Sequence, residues 1–224
     1  MDIVLETALV LIILIFFSIV SLKKKSLDRE GVIIGNIIGL LFYMLGGFRA
    51  FIVIALFFAV ADISTRISRK TRSVSHEQRT TGNIIGNSGA AFIALLAGYE
   101  FAFFGAIAAA LADTLSSEIG LLSKPRPRLI TNLKKVKTGT DGGITLLGLA
   151  ASIAGAAVIG SIYFYWNRNL SLALILVAAG FIGSLVDSVF GAAFERKGKL
   201  NNTEVNFLGS FAGAVSAGLM AMLI

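Results

Sequence analysis

Gly105-Ala106-Ile107-Ala108-Ala109-Ala110-Leu111-Ala112-Asp113-Thr114-Leu115-Ser116-Ser117-Glu118-Ile119-Gly120 closes an apolar run that begins at Phe101. Read as a helix, Gly105, Ala106, Ala109, Ala110 and Asp113 fall on one stripe, and Ser116 and Ser117 continue that face. Small residues let a neighbouring helix approach closely, so the stripe and the carboxylate that ends it point into packed protein, not lipid. A carboxylate at a membrane helix end is costly unless it is wet, paired or metal-bound, which makes Asp113 a functional candidate. A solvated helix end would also account for one such residue. The decision therefore rests on whether other carboxylates gather on the same side.

The 224 residues are 56% hydrophobic and only 15% charged, with mean hydropathy +0.84. Soluble domains carry about 25% charged residues. The chain reads as one all-α integral-membrane domain over residues 1–224, a polytopic transmembrane helical bundle. Its 24 Gly suit tight helix packing. The absence of Cys excludes disulfides, thiolate metal sites and cysteine nucleophiles, and a single His, His76, excludes a multi-His metal site. His76 itself reads as a surface residue. The net charge of +7 invites a nucleic-acid reading. That reading fails, because the basic residues sit in short loops between apolar segments, where topology requires them. They remain available to anionic lipid or phosphate.

Eight spans are predicted, at roughly 3–22, 31–46, 48–66, 82–98, 100–118, 142–162, 170–193 and 205–224. The N-terminus carries Asp2 and Glu6, and Lys23, Lys24 and Lys25 follow the first apolar run, the reverse of a cleavable signal. Of the 20 Lys and Arg, 18 fall in the loops after spans one, three, five and seven; only Arg49 and Arg168 lie opposite. The positive-inside rule then places those loops in the cytoplasm of the cell and both termini outside. Tyr163, Tyr165 and Trp166 mark an outer interface, as aromatic belts do.

The carboxylates gather on the basic side. Asp62, Asp113, Glu118 and Asp187 close inward-running spans, Asp141 opens one, and Glu195 and Glu204 flank the last inner loop. Asn36, Asn83, Asn87 and Asn206 also lie near inner ends. A transporter would place polar groups near the midplane; here they form a one-sided layer. Gly35-Asn36-Ile37-Ile38-Gly39 recurs as Gly82-Asn83-Ile84-Ile85-Gly86, and the returning spans end in Ala61-Asp62 and Ala112-Asp113. With Asp141 to Asp187 as a third, repeated helical hairpins would each bring an inner-face Asp to one carboxylate cluster. Asp62 and Glu195 are read as structural or loop-solvating.

Thr138-Gly139-Thr140-Asp141-Gly142-Gly143 is read as a helix start, whose free N–H groups and partial positive charge suit phosphate. An ordinary N-cap at Thr140 or Asp141 explains the same residues. The preceding Lys124-Pro125-Arg126-Pro127-Arg128 holds both prolines of the chain. A stiff loop carrying Arg suits bidentate phosphate recognition; a topogenic basic loop is the alternative. Asn83 and Asn87, four residues apart, share a helix face. Oxygen-only groups around several carboxylates suit Mg²⁺.

These motifs resemble the membrane-protein family that contains plant phytyl-phosphate kinase and the animal transmembrane protein 19. The resemblance rests on Ala112-Asp113-Thr114-x-Ser116-Ser117-Glu118-Ile119-Gly120, Pro127-Arg128-Leu129-Ile130-Thr131, Gly139-Thr140-Asp141-Gly142-Gly143-Ile144, Gly183-Ser184-x-x-Asp187-Ser188 and Val205-Asn206, with Arg79 and the Asn83/Asn87 segment matching more loosely. Leu115 stands where that family often has Trp, and Asn83 where many members have Gln. The resemblance implies a CTP-dependent isoprenoid-phosphate kinase, distantly like dolichol kinase and phosphatidate cytidylyltransferase. It would convert a polyprenyl phosphate of phytyl or geranylgeranyl type to the diphosphate.

On that reading Asp113, Glu118 and Asp187 hold Mg²⁺, and Asp141 joins them in the catalytic set. Arg79 and Arg128 clamp phosphate oxygens, and Thr138, Gly139, Thr140, Gly142 and Gly143 cradle phosphate with Ser117, Asn83, Asn87 and Asn206 beside it. The partners are an isoprenoid phosphate lipid, a nucleoside triphosphate and the membrane, with a homodimer left open. The competing functions are a lipid cytidylyltransferase using the same site, an isoprenoid-phosphate transporter or flippase, and a non-catalytic scaffold.

The topology is testable in this Cys-free chain. In intact cells an impermeant maleimide is expected to label Asn167→Cys and to spare Ser123→Cys. Labelling of Ser123→Cys from outside would overturn the orientation.

Overall fold

The computed structural model describes residues 2–24, 27–72 and 81–224. Seven α-helices make up the described chain: α1 (Ile3–Lys23), α2 (Arg29–Arg72), α3 (Thr81–Leu96), α4 (Glu100–Gly120), α5 (Leu146–Asn167), α6 (Leu170–Ala193) and α7 (Asn202–Ala221). α2 is one continuous element only nominally. At Gly47 the backbone takes φ 67° and ψ −166°, outside the helical region. There the chain folds back, so that a Cβ on Gly39 would lie 3.5 Å from the Phe51 ring. A straight helix of that length would run to about 65 Å, twice the hydrocarbon thickness. The fold-back makes two spans, and the break falls at the predicted boundary between spans two and three. Counting the two arms of α2 separately, eight helical segments correspond to the eight expected spans. Five helices are long and apolar enough to cross a bilayer by themselves, with α2 counted as one. α3, with 16 residues, is shorter.

α4 is the axis of the bundle. Phe103 to Ala112 are buried without a break, so no side of this helix faces lipid through its middle. The other helices close around it through backbone-to-backbone approach at small residues. A Cβ on Gly105 would stand 2.7 Å from the Gly213 carbonyl of α7. One on Gly180 of α6 would touch Ala156 of α5 at 2.8 Å and Ala108 of α4 at 3.0 Å. One on Gly155 of α5 would stand 2.9 Å from the Leu111 carbonyl. The predicted small-residue stripe is therefore the packing surface. By contrast α1 packs mainly on α2, with Phe17 also in the cluster that holds Ile84 of α3, and exposes Ile12, Ile15 and Phe16, a lipid-facing surface. Asn36 ties it on, donating to Ser18 Oγ at 2.8 Å.

At the end away from the basic loops the interior is filled with rings. Phe42, Phe103, Phe104 and Tyr163 follow one another at centroid distances of 5.1–5.7 Å. Arg49 lies over the Trp166 ring at 5.7 Å, and Arg168 over Tyr165 at 5.4 Å. The two basic residues assigned to this side thus find aromatic faces there.

The loop from α4 to α5 departs from expectation. The Gly-rich turn was expected to open the sixth span at residue 142. Instead β2 (Gly143–Ile144) pairs antiparallel with β1 (Arg128–Leu129), and α5 begins at Leu146. Thr145, not Thr140 or Asp141, is the N-cap; its hydroxyl accepts from the Gly148 N–H at 2.9 Å. Gly139 and Gly142 have φ of 84° and 70°, which no helix start tolerates. The partner strand lies 14 residues upstream, so the choice is made by a contact that local periodicity does not reveal.

Close approach makes glycine substitutions diagnostic. Gly183→Ala would drive a Cβ into Ala109 and to 2.7 Å from the Gly209 carbonyl, an overpacking cost of about 1–3 kcal/mol. Gly218 has open space around it, so Gly218→Ala should gain about 0.5–1 kcal/mol of helix stability. Thermal unfolding in detergent is expected to place Gly183→Ala below, and Gly218→Ala at or above, the parent protein.

Candidate functional site

At the basic-loop end, α4, α6, α7 and the α4–α5 loop enclose a cavity of about 250 Å³. α4 supplies Asp113, Ser116, Ser117 and Gly120, spaced at helical intervals on one face. α6 supplies Asp187, Ser188 and Gly191, followed by Glu195 in the short 3₁₀ turn Glu195–Lys197; α7 supplies Asn202 and Asn206. The loop forms the remaining wall with Pro127, Thr138 to Gly143 and Thr145. It is pressed against α6: a Cβ on Gly142 would collide with Ala192 and stand 2.5 Å from the Ser188 carbonyl. Hydrogen bonds from Val136 N–H to the Pro127 carbonyl and from Ile130 N–H to the Gly142 carbonyl, both 3.0 Å, hold this wall together.

Asp113 and Asp187 come from different helices, and their carboxyl groups are within hydrogen-bonding reach of each other. A Cβ on Gly209 would lie 2.9 Å from the Asp187 Cβ, so α7 supports this side chain from behind. Asp187 Oδ2 is buried and has no hydrogen-bond partner. Asp141 and Glu195 face one another at the rim, close enough to repel. The lining thus carries four carboxylates and, among the described residues, no Lys or Arg. Carboxylates this close to one another cannot all ionise without a cation or proton between them.

The donors fit a hard divalent cation. All are oxygen, two carboxylates converge, and one buried carboxylate oxygen is unsatisfied. Among the described residues no three His, Cys, Asp or Glu come together as a closed metal cage. Mg²⁺ does not need one; it is commonly held by one or two carboxylates, with waters and substrate phosphates completing the shell.

Of the predicted site residues, Asp113, Asp187, Asp141, Ser117, Thr138, Gly139, Thr140, Gly142, Gly143 and Asn206 meet in this cavity. Others stand apart. Glu118 is rotated out of the cavity and accepts a 2.7 Å hydrogen bond from Thr65 of α2. Arg128 Nη1 donates to the Leu133 carbonyl at 2.9 Å and so braces its own hairpin. Asn87 is buried and donates to the Asn83 carbonyl at 2.8 Å; neither lines the cavity. Arg79 and His76 lie outside the described residues. Asp62 pairs with Arg66 one turn on and does not line the cavity, so the first hairpin does not contribute to the acid cluster.

The cradle is also changed. The Gly143 N–H is taken by the Thr140 carbonyl at 2.9 Å, so the turn does not present a free helix N-terminus. Glu195, read as solvating a loop, lines the cavity instead, as do Ser116, Ser188 and Asn202. Glu195 follows Asp187 by eight residues, a same-face spacing that could have flagged it.

The chain belongs to the family described as integral membrane protein DUF92, whose model matches residues 12–214. It is 37% identical over 202 residues to an uncharacterised membrane protein of Methanocaldococcus jannaschii, covering 86% of this chain and 85% of the relative. It is 32% identical to Protein PGR of Arabidopsis thaliana over 217 residues, covering 80% of this chain and 75% of that one. To the chloroplastic Protein VTE6 of the same plant it is 27% identical over 237 residues, covering 95% and 70%. No solved structure matches.

The geometry separates Glu118 from the two aspartates. Using Mn²⁺ as a paramagnetic stand-in, Asp113→Asn and Asp187→Asn are each expected to weaken binding about tenfold or more. Glu118→Gln is expected to leave it within about twofold, because an amide oxygen can still accept from Thr65. Equal losses in all three variants would return Glu118 to the metal.

Proposed function

We propose, proceeding from membership of that family, that this protein is a CTP-dependent isoprenoid-phosphate kinase working at the cytoplasmic face of the membrane. The observation that carries the reading is the acid-lined cavity with an unsatisfied carboxylate oxygen at Asp187. A lining with four carboxylates and no described cationic side chain repels a bare triphosphate. It attracts one that arrives with a divalent cation. The family resemblance of the motifs supplies the lipid and the nucleotide.

In the reaction an oxygen of the lipid phosphate attacks the γ-phosphorus of CTP. A new O–P bond forms, the bond from the bridging β–γ oxygen to the γ-phosphorus breaks, and CDP leaves with that electron pair. A lipid phosphate is already largely ionised near neutral pH, so no strong base is required. The absence of a Cys or a second His is no obstacle. A Mg²⁺ bound here would offset the charge of the β- and γ-phosphates and hold them in line. Asp113 and Asp187 would hold it. Thr138 would donate its hydroxyl to phosphate, Thr140, whose hydroxyl donates to the Lys137 carbonyl at 2.7 Å, would hold the turn in shape, and the loop wall with Pro127 would limit water at the reacting phosphorus. Asn202 and Asn206 would orient the oxygens of the second phosphate from the α7 side.

The aromatic end supports chemistry over transport, since among the described residues Phe42, Phe103, Phe104 and Tyr163 fill that interior. Purified protein in nanodiscs, given Mg²⁺, geranylgeranyl phosphate and CTP labelled at either the α- or the γ-phosphate, is expected to move only the γ-label into lipid diphosphate. Transfer of the α-label would identify a cytidylyltransferase, and movement of unaltered lipid between leaflets a flippase. Asp113→Asn and Asp187→Asn should fold and insert yet lose on the order of 100-fold in rate. Near-parent activity in both would refute the site.

A further inference from the structure

A second concavity lies on the lipid-facing side of the same helix that walls the cavity. It is a groove of about 390 Å³ between α3 and α7, lined by Ile85, Gly86, Leu200, Thr203, Phe207 and Leu208, with the Glu204 carboxylate at its rim. That volume lies within the roughly 300–1,000 Å³ typical of ligand pockets. Ile85 is about half exposed, so the groove opens toward lipid. Glu204 does not project freely; its carboxylate accepts from the Asn201 N–H at 2.7 Å in the capping box of α7.

α7 sorts polar from apolar on its two sides. Asn202 and Asn206 face the cavity, while Thr203 and Phe207, one residue on in each case, face the groove. Successive helical residues diverge by about 100°, so cavity and groove are separated by the thickness of one helix, about 10 Å. The wall is closed at depth. A Cβ on Gly86 would stand 2.7 Å from the Thr203 carbonyl and 3.1 Å from the Asn206 Cβ. At the N-terminal end of α7, Leu200 lines the groove, Asn202 lines the cavity, and Asn201 between them is exposed.

We propose that the groove between α3 and α7 holds the isoprenoid tail of the lipid substrate, its phosphate crossing the first turn of α7 into the acidic cavity. This rests on the kinase reading for the identity of the lipid. An amphiphile whose head must be in water-filled, cation-rich space and whose tail must stay in hydrocarbon needs adjacent polar and apolar compartments at the interface. α7 supplies both within one helical turn. Another apolar groove, lined by Ile13, Phe17 and Gly35 of α1 and α2 with Ile84 of α3, shares no helix with the cavity. The first isoprene unit spans the helix end, and the units beyond it occupy the groove. Tail recognition therefore grows with chain length.

The test compares geranylgeranyl phosphate with the one-isoprene dimethylallyl phosphate in nanodiscs. Ile85→Trp, which fills the groove, is expected to lower the ratio of kcat/KM for the long over the short substrate about tenfold. Gly35→Leu, which enters open space by α1, is expected to leave that ratio unchanged. An unchanged ratio in Ile85→Trp, or a fall in Gly35→Leu instead, overturns the assignment.

A geranylgeranyl phosphate bearing a terminal diazirine gives a readout independent of turnover. Its label should map to α3 and α7 peptides and be competed by unlabelled geranylgeranyl phosphate. Label on α1 and the first arm of α2 overturns the tail site. If neither substrate is turned over while the label still lands on α3 and α7, the kinase reading fails and the tail site stands. Turnover with label elsewhere sinks the tail site alone.

Discussion

The structure depends on how closely four backbones can approach at α4. In a bilayer, lipid tails are as apolar as leucine, so burying apolar side chains gives helices little reason to associate. What remains is dispersion between well-matched surfaces, which falls off steeply with gap width. The Gly and Ala positions of α4, α5, α6 and α7 remove the side chains that would hold these helices apart. This contact surface extends from Gly105 to Gly120, and the cavity carboxylates sit toward its basic-loop end. Asp113 and Asp187 reach each other because Gly183 lets α6 lie against Ala109, and because Gly209 lets α7 lie against Asp187.

That proximity has an electrostatic cost that a purely structural role would not justify. Two carboxylates in contact, with two more at the rim, raise each other's free energy unless positive charge enters. A protein selecting only for stability would replace one partner by an amide or pair it with a cationic side chain. The same chain satisfies acids elsewhere: Asp62 pairs with the cationic Arg66, and Glu118 accepts from the Thr65 hydroxyl. The contrast between satisfied acids outside the cavity and an unsatisfied oxygen inside it is what the proposed divalent cation would relieve. The loop adds to this by tucking Gly142 against α6 and closing the side that would otherwise admit bulk water.

Much of this was legible in the sequence because helical periodicity and charge asymmetry act locally. The stripe from Gly105 to Asp113, the break at Gly47 and the gathering of acids at one end all followed from spacing and from the positions of Lys and Arg. Asp113 and Asp187 could be placed at the same end because each closes an apolar helical run on the side of the basic loops. Glu118 was misplaced for a reason also present in the sequence. Five residues beyond Asp113 it is rotated by about 140°, which takes it off the cavity face. The Gly-rich turn was not legible in the same way. Its residues suit a helix start locally, and only the distant pairing of Gly143–Ile144 with Arg128–Leu129 makes them a strand and a wall. Arg128 was drawn into that hairpin by the same pairing.

The two ends of the bundle carry opposite constraints, and their combination narrows what the molecule can do. A transporter must hydrate or bind its cargo along a route to both faces. Here the end remote from the basic loops is packed with Phe42, Phe103, Phe104 and Tyr163 in successive ring contacts, so opening a route there would break those contacts. A lipid-phosphate transferase has the reverse requirement. Its reacting groups must meet the nucleotide from the aqueous side, its lipid must never leave the bilayer, and water must be kept from the transferred group. A cavity sealed below by small-residue packing, covered by a paired loop and walled by a helix whose other side is apolar meets all three conditions. The remote end is then free to be rigid, and its rigidity holds the helix ends that bring Asp113 and Asp187 together.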